Sequence, residues 1–396
     1  MIPRQLSGTL IESARHYPVV TLLGPRQSGK TTLARSSFPE HEYCNMEDPE
    51  LRALALEDPK EFFHRHAPPV ILDEIQRAPT LLSMIQVMVD DDPGRKGAFI
   101  LTGSHQPQLK AGISQSLAGR SSLHRLLPLS VRELERAGHI QDRDELLFKG
   151  FMPRLYQQDL PPTELYRNYY GTYIERDVRQ LIQLRNLQSF ELFMKLLAGR
   201  VGQVLNLHSL SGDVGVSSPT LREWLSVLES SFVVFRLPPY FENFGKRFIK
   251  SPKLYFSEPG LAAYLLEIRS ASQAGRDPLM GAVFENIVVV EALKSRWNRG
   301  LDADLYYWRD QRGMEIDLIL SRQRHLFPVE IKAARSYHSD FTRNLSKFSR
   351  LDPRIEAGAV VYAGKEEQKV SGVQLLSLSS LDDYLGFEFK GAAPTP

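Results

Sequence analysis

The stretch GPRQSGKTT, from Gly24 to Thr32, decides how the chain must fold. It matches the phosphate-binding pattern G-x-x-x-x-G-K-[ST] in full and follows a β-branched apolar run, PVVTLL, from Pro18 to Leu23. The two glycines let backbone amides surround a phosphate, and amides at the start of a helix carry partial positive charge. The stretch therefore predicts a buried strand, a phosphate-binding loop and a helix, in that order.

The loop residues have distinct expected tasks. Lys30 is expected to reach the β- and γ-phosphates of a nucleotide, and the hydroxyl of Thr31 is expected to bind Mg²⁺. The sequence thus predicts ATP and Mg²⁺ as ligands. The predicted nucleotide contacts are Gly24, Pro25, Arg26, Gln27, Ser28, Gly29, Lys30, Thr31 and Thr32.

A second apolar run, PPVILDEIQ, ends in the acid pair Asp73 and Glu74. Asp73 is expected to hold Mg²⁺ through water, and Glu74 is expected to polarise the attacking water. Finding both elements at this spacing favours an ATPase over a chance match of the loop. A small-molecule kinase is the less favoured interpretation, because Glu74 after Asp73 favours water as the phosphoryl acceptor.

Two further polar residues are candidates for this site. Ser104 ends the stretch LTGS, and its side chain is expected either to position water against the γ-phosphate or simply to form a turn. Arg120, in SLAGR, is a candidate arginine finger for a neighbouring subunit's nucleotide, the alternative being a solvated surface arginine. Weaker candidates for the finger are Arg125, Arg176 and Arg179.

Short apolar runs alternate with helical segments in the first third of the chain, which predicts a parallel sheet with helices on both faces. The predicted strands are Pro18 to Leu23, Val70 to Leu72, Ala98 to Leu101 and Leu123 to Leu129. The whole chain is predicted to be α/β. Its predicted units are a P-loop ATPase domain (1–135), a helical subdomain (136–200), a winged-helix-like module (201–256) and a C-terminal α/β domain (257–396).

The winged-helix prediction rests on the order of elements. A short helix from Leu207 to Val214 precedes a second helix capped by Ser217 or Ser218, and strands are expected at Phe232 to Leu237 and Lys253 to Phe256. A module that only packs the ATPase domain against the C-terminal domain is the alternative. Cations expected to meet DNA phosphates in the wing are Lys246, Arg247, Lys250 and Lys253.

Composition limits the location and the partners. The chain has 396 residues, 42% hydrophobic and 24% charged, with a formal charge of +2, so nucleic-acid contact must rely on local patches. Cys44 is the only cysteine, which fits a reducing compartment. No signal-peptide core or membrane-length apolar run is present, so a cytoplasmic location without membrane contact is expected.

The stretches GPRQSGKTTL, VILDEIQ, ILTGS, SLAGR, LLPLS and YIERDVRQL together resemble a large prokaryotic family of AAA-type ATPases. In that family the motor is followed by a C-terminal domain similar to PD-(D/E)XK nucleases, that is, a restriction-endonuclease-like α/β domain. The resemblance covers nearly the whole chain. It implies an oligomeric AAA-like motor in which Arg120 acts in trans.

Acidic residues near the C-terminus occur in the order such a nuclease fold needs. Glu285 lies in a predicted helix, Gly281 to Ser295, and Asp317, Glu330 and Lys332 lie on two apolar strands. Asp317 and Glu330 are expected to bind Mg²⁺ or Mn²⁺, with Glu285 as a further ligand, and Lys332 is expected to steady the attacking hydroxide. Solvated strand ends, or a DNA-binding relic without cleavage, are the alternatives.

These patterns favour Mg²⁺-dependent ATP hydrolysis coupled to DNA binding and to metal-dependent phosphodiester cleavage, in a homo-oligomer. One alternative is a nuclease-inactive ATPase that acts as a DNA-binding regulator or loader. Another is a defence or signalling switch whose C-terminal domain binds a protein partner. The first alternative predicts ATPase stimulation by DNA without cleavage, and the second predicts ATPase activity indifferent to nucleic acid.

Overall fold

The computed structural model describes residues 1–104, 116–173, 186–241 and 251–386. Within these ranges the N-terminal sheet has five parallel strands in the spatial order β2–β3–β4–β1–β5. This confirms the predicted parallel α/β fold. The strands are β1 (Val19–Leu23), β2 (Glu42–Asn45), β3 (Val70–Asp73), β4 (Phe99–Gly103) and β5 (Ser121–Arg125).

Two differences from the predicted strands have simple causes. The sequence analysis missed β2 because this edge strand, EYCN, is short and buries only Cys44 fully. The predicted run Leu123 to Leu129 overlaps β5, but the strand starts at Ser121 and ends at Arg125. The leucines beyond β5 are buried in the connection that follows it.

Helices cover both faces of this sheet. One apolar cluster packs Leu10 and Leu33 against Ile71, while another packs Ile85 against Leu72 and Phe99. The helices begin where the sequence supplies caps, such as Asp48 and Asp58, whose carboxylates accept from the first-turn amides. They are α1 (Leu6–His16), α2 (Lys30–Ser37), α3 (Pro49–Glu57), α4 (Pro59–Arg65) and α5 (Thr80–Asp91).

The middle of the chain is mainly helical, as predicted. Its described helices are α6 (Val131–Arg136), α7 (Arg143–Lys149), α8 (Arg154–Gln157), α9 (Pro162–Tyr169) and α10 (Leu187–Ala198). The next elements also follow the predicted order. They are α11 (Leu207–Val214), α12 (Ser218–Ser230), β6 (Val234–Leu237) and β7 (Lys253–Phe256).

Ser217 caps α12 by accepting from the amide of Thr220, and β6 pairs with β7 in an antiparallel hairpin. The classification of this segment as a winged helix stays a prediction. The wing cations Lys246, Arg247 and Lys250, and the candidate fingers Arg176 and Arg179, lie outside the described residues.

The C-terminal unit is built on a mixed sheet in the order β12–β13–β11–β10–β9–β8. Its strands are β8 (Leu305–Arg309), β9 (Glu315–Arg322), β10 (His325–Lys332), β11 (Ala359–Tyr362), β12 (Gln368–Val370) and β13 (Val373–Leu376). Its helices are α13 (Pro259–Leu265), α14 (Ala271–Ala274), α15 (Met280–Asn298), α16 (Arg343–Phe348) and α17 (Leu381–Gly386). β8, β9 and β10 form an antiparallel meander, whereas β10, β11 and β13 run parallel.

Helix α15 joins the C-terminal unit to the N-terminal one. Nearly all of its residues are buried, as expected for a helix with apolar side chains around its whole circumference. Its buried Lys294 donates to the carbonyl oxygen of Leu129 at 2.7 Å, and Glu291 accepts from the amide of Val131 at 2.8 Å. The two side chains also pair with each other at 2.8 Å, so every charge in this contact is compensated.

One apolar cluster extends from the N-terminal sheet through the helical region to the C-terminal unit, and the predicted four-domain division stays a prediction. Among the described helices, none combines the length and the apolar composition needed to cross a bilayer.

We expect Gly150→Ala to destabilise the protein far more than Gly138→Ala. Both glycines have positive φ, but Gly150 (φ 66°, ψ −152°) lies in a region that essentially only glycine adopts. A Cβ at Gly150 would also lie 2.0 Å from Oε1 of Glu258, whereas a Cβ at Gly138 would meet nothing within 4 Å. We predict a loss of about 3 kcal/mol at Gly150 and about 1 kcal/mol at Gly138, measured by thermal and denaturant unfolding. Equal losses would contradict this.

Candidate functional site

The phosphate-binding loop begins where β1 ends, and its backbone path requires glycine. A Cβ at Gly24 would lie 2.1 Å from the carbonyl oxygen of Leu126, which follows β5, so no larger residue fits there. Gly29 has φ 94° and immediately precedes α2. The predicted succession of strand, loop and helix is therefore present, with the loop at the carboxyl edge of the sheet.

Lys30, the first residue of α2, is buried inside the loop. Its Nζ atom donates to the carbonyl oxygens of Gly24 at 3.0 Å and Pro25 at 2.9 Å. Burial lowers the pKa of Lys30, and the negative charges of Glu74 and Asp73 oppose that shift. These neighbours favour an ammonium group that is held inside the loop and faces the acid pair.

Asp73, the last residue of β3, is the best-connected side chain of the site. The hydroxyl of Thr31 lies 3.0 Å from both of its carboxylate oxygens, and the hydroxyl of Tyr43 donates to Oδ2 at 2.9 Å. The hydroxyl of Thr102 on β4 donates to Oδ1. Hard oxygen atoms of Thr31 and Asp73 thus meet directly beneath the loop, which is the donor set that Mg²⁺ prefers.

Glu74 follows Asp73 in a left-handed conformation, with φ 54°. Its Oε2 atom accepts from the hydroxyl of Ser104 at 3.1 Å, from the amide of Ser104 at 3.3 Å, and from the side-chain amide of Gln76. Burial disfavours the charged form, but Lys30 and these donors outweigh it, so the pKa of Glu74 lies below its usual value. Glu74 is therefore an anion near neutral pH.

A cavity of about 760 Å³ opens over the loop. Among the described residues, its lining includes Lys30, Thr31 and Glu74 but neither Ser104 nor Asp73. The N-terminal residues and helix α8 close other sides of it. The further predicted loop contacts in the lining are Arg26, Gln27, Gly29 and Thr32.

Several residues that hold this site together are not indicated by any motif in the sequence. Arg4 is one of them, and its side chain is only 8% exposed. It donates to the carbonyl oxygens of Ser28 and Leu127, both at 2.6 Å, and pairs with Glu133 at 3.1 Å. No pattern in the sequence marks Arg4, because its partners are distant along the chain and are mostly backbone atoms.

The other residues that were not predicted differ in how far the sequence could have indicated their roles. Thr102 was detectable, because it lies two residues before Ser104 and alternate residues of a strand share a face. Gln76 lies inside the quoted stretch VILDEIQ but was given no task. Tyr43 lies on the unpredicted strand β2, so nothing connected it with Asp73.

The candidate arginine finger Arg120 is exposed and forms a bidentate pair with Asp90 at 2.6 and 2.8 Å. Its role in trans stays a prediction. The weaker candidate Arg125 lies 5.3 Å from the ring centroid of Trp297, and burial lowers its pKa. Arg125 therefore packs within its own chain instead of extending toward another subunit.

The predicted C-terminal residues converge at the junction of β9 and β10. Nζ of Lys332 lies 2.5 Å from Oε2 of Glu330 and 3.9 Å from Oδ2 of Asp317. Asp317 also accepts from the backbone amide of Ile331 at 2.8 Å. The other oxygen of Glu330, Oε1, is buried and has no hydrogen bond of ordinary geometry in the described part of the chain, although the side-chain amide of Asn344 faces this carboxylate and opposes the rise of its pKa.

The position of Lys253 corrects one prediction. Lys253 was expected to meet DNA phosphates, but its side chain is only 3% exposed. Its Nζ atom lies 2.9 Å from Glu285 and 2.5 Å from Glu315, and Tyr255 donates to the same Glu285 oxygen at 2.6 Å. All four residues of β7 are buried, and the side chain of Lys253 points toward Glu285 and Glu315, whose carboxylates neutralise its charge. Glu285 thus already has a cationic partner.

We call Glu285, Glu315, Asp317 and Glu330 the carboxylate cluster. Burial, reinforced by the charge of Asp317, raises the pKa of Glu285 and of Glu330 to about 7. Like charges held together in a buried site favour an added cation. Among the described residues, no three of these carboxylates lie close enough together to form a metal site. Oε1 of Glu330 and Asp317 are the candidate ligands, whereas a metal at Glu285 would have to displace Lys253.

Comparison with protein families divides the chain into three matched parts. A model described as an AAA domain matches residues 16–135, which include the loop, Asp73 and Glu74. Two models described as domains of unknown function match residues 140–272 (DUF8612) and 280–381 (DUF4143). The nucleotide site thus belongs to an AAA-type P-loop ATPase domain. The match at 280–381 does not support the predicted nuclease-like assignment.

Similarity to two curated relatives extends beyond the AAA domain. An uncharacterized protein of Mycobacterium tuberculosis (strain ATCC 25618 / H37Rv) is 32% identical over 398 residues, covering 97% of this chain and 87% of the relative. An uncharacterized protein of Haemophilus influenzae (strain ATCC 51907 / DSM 11121 / KW20 / Rd) is 22% identical over 326 residues, covering 77% of this chain and 75% of the relative.

Similar solved structures include a Walker-type ATPase of Pyrococcus abyssi. It has 16% identity and a TM-score of 0.42, covering 67% of this chain and 96% of that chain. AMPPCP-bound DnaA from Aquifex aeolicus has 14% identity and a TM-score of 0.30, covering 57% of this chain and 85% of that chain. The assignment of the nucleotide site is based on the geometry described above and not on these two structures.

We expect Lys253→Met to lower the free energy of unfolding by about 3 kcal/mol, because it leaves Glu285 and Glu315 without their buried cation. The matched control is Lys195→Met. Lys195 pairs with Glu267 on the surface, where both side chains are more than half exposed, so we expect a change below about 0.5 kcal/mol. Urea unfolding of both variants measures the difference, and an equally small effect at Lys253 would contradict the structure.

Proposed function

The chain belongs to the family of AAA-domain proteins that includes its relative in Mycobacterium tuberculosis, and we propose that it couples Mg²⁺-dependent ATP hydrolysis to DNA binding. The observation that carries the ATPase assignment is the contact between Thr31 and Asp73 beneath the loop, with Lys30 and Glu74 on the adjoining cavity wall. This arrangement provides a phosphate cradle, a hard-oxygen metal site and a base in one place.

Each group has a defined task in the proposed reaction. The amides from Gly24 to Thr32 and the ammonium of Lys30 bind the phosphates, and Thr31 with Asp73 holds Mg²⁺. When bound, Mg²⁺ supplies positive charge against the phosphate oxygens. Glu74 orients a water molecule and takes its proton as the water oxygen bonds to the γ-phosphorus. The bond from that phosphorus to the β,γ-bridging oxygen breaks, and ADP and phosphate are the products.

We include two further residues and an oligomer in this proposal. Ser104 supports the reaction through its contact with Glu74. Arg120 acts on the nucleotide of a neighbouring subunit, for which it must release Asp90. Its exposure supports this, because a buried arginine could not reach another chain.

We expect Lys30→Ala to lower kcat/KM for ATP by about 10²-fold to 10³-fold, the loss typical for removing a group that stabilises transition-state charge. Phosphate release measured with Mg²⁺ tests this. Lys60→Ala removes an exposed lysine on α4 and should keep full activity. Turnover by the Lys30→Ala variant at the wild-type rate would refute the site assignment.

The C-terminal part of the proposal is metal-dependent phosphodiester cleavage at Asp317, Glu330 and Lys332. Their convergence and the buried Oε1 atom of Glu330 support it. A second candidate function is a nuclease-inactive ATPase that binds DNA as a regulator or loader. Lys253 supports this second function, because it already neutralises Glu285 and Glu315 and leaves fewer carboxylates for a metal.

We expect duplex or single-stranded DNA to stimulate the ATPase several-fold. Under the first function, DNA incubated with Mg²⁺ or Mn²⁺ is shortened by the wild type and not by Asp317→Ala. Asp340→Ala, at an exposed aspartate, is the matched control and should cleave like the wild type. Stimulation with intact DNA would favour the second function. ATPase activity indifferent to nucleic acid would favour a switch that binds a protein partner.

A further inference from the structure

Three side chains form a closed triangle behind the nucleotide cavity. The side-chain amide of Gln76 donates to Oε2 of Glu74 and, at 3.0 Å, to the hydroxyl oxygen of Ser104. The hydroxyl of Ser104 donates to the same Oε2 at 3.1 Å. One oxygen of Glu74 is thereby fixed from two directions, by the turn that follows β3 and by the end of β4.

One of the three side chains in the triangle reaches the nucleotide cavity. Among the described residues, Glu74 lines the cavity, whereas Gln76 and Ser104 do not. A change at Gln76 therefore reaches the reacting atoms only through Glu74. In the described part of the chain, the side chain of Gln76 donates to Glu74 and Ser104 and not to the loop, Lys30 or Thr31. We therefore expect ground-state binding of ATP to be nearly independent of it.

The orientation of Gln76 is itself informative. Its Nε2 atom faces the carboxylate, and its Oε1 atom is buried without a hydrogen-bond partner among the described groups. Leaving a buried carbonyl oxygen unpaired is unfavourable. A charged hydrogen bond to Glu74 is of the strength that offsets such a cost. The side chain is thus arranged to hold the glutamate.

We propose that Gln76 is a positioning residue for Glu74, which together with Ser104 fixes the glutamate in the orientation that activates water. This rests on the proposed ATPase function and adds a residue to it. The contacts leave Oε1 of Glu74 as the oxygen that receives the water proton. Without Gln76 the carboxylate turns about its side-chain bonds, and the water is misaligned with the γ-phosphorus.

The test compares steady-state ATP hydrolysis by Gln76→Leu with that of the wild type. We expect kcat to fall about tenfold, while KM and the affinity for a non-hydrolysable ATP analogue stay within about twofold. Gln86→Leu is the matched control, since Gln86 is half-buried on α5 away from the site. Ser104→Ala should lower kcat similarly, and Ser104→Thr, which keeps the hydroxyl, should retain most of the activity.

A double-mutant cycle decides whether Gln76 acts through Glu74. In a Glu74→Gln background, adding Gln76→Leu should change the residual rate by less than about twofold. An unchanged kcat in Gln76→Leu, or a full tenfold loss in both backgrounds, would overturn the inference while leaving the ATPase function intact. Absence of hydrolysis and of nucleotide binding in the wild type would instead remove the proposed function itself, and this inference with it.

Discussion

The carboxylate of Asp73 is the contact on which the nucleotide site depends. It lies at the end of β3 and receives hydroxyl groups from α2, β2 and β4, through Thr31, Tyr43 and Thr102. Four separate elements are thereby held at one edge of the sheet. A carboxylate with this many donors is fixed in place before any metal arrives, which reduces the reorganisation that binding requires.

The order of the strands explains why the acid pair and the loop can cooperate. β4 lies between β1, which leads into the loop, and β3, which ends in Asp73. Thr102 on β4 contacts Asp73, and Ser104, directly after β4 and two residues further along, contacts Glu74. One strand therefore sets the positions of both acids. The positions of the groups used in the proposed reaction thus follow from the parallel pairing of β1, β4 and β3 and from the two-residue alternation of side chains along a strand.

Much of the N-terminal site was predictable because its residues are close together along the chain. Gly24 to Thr32 and Asp73 with Glu74 form short motifs whose context of strand, loop and helix can be read locally. Arg4, Tyr43 and Gln76 were not predictable, since their roles depend on contacts between elements that only the folded sheet brings together. Sequence spacing also failed for Lys253, because its inward direction is set by the packing of β7 against α15.

The C-terminal site shows the same limit. The spacing of Asp317, Glu330 and Lys332 on two strands predicted their convergence, which the structure reproduces. No local pattern revealed that Glu285 and Glu315 share Lys253, since that lysine comes from the hairpin of another part of the chain. Glu315 lies two residues before Asp317 on β9, so the two share a strand face, and Glu315 reaches the same cluster through Lys253.

Helix α15 has a consequence for how the two ends of the molecule can move. Its Lys294 bonds to the backbone of Leu129, in the segment that connects β5 to α6, and its Glu291 bonds to the backbone of Val131, the first residue of α6. Full separation of the two units would break these hydrogen bonds and expose the apolar surface around them to water. We therefore expect any relative motion of the two units to be a small shear, in which α15 slides or turns while these bonds persist. A displacement at one end of the molecule would then reach the other end through α15, because the helix is bonded to the N-terminal unit and packed in the C-terminal one.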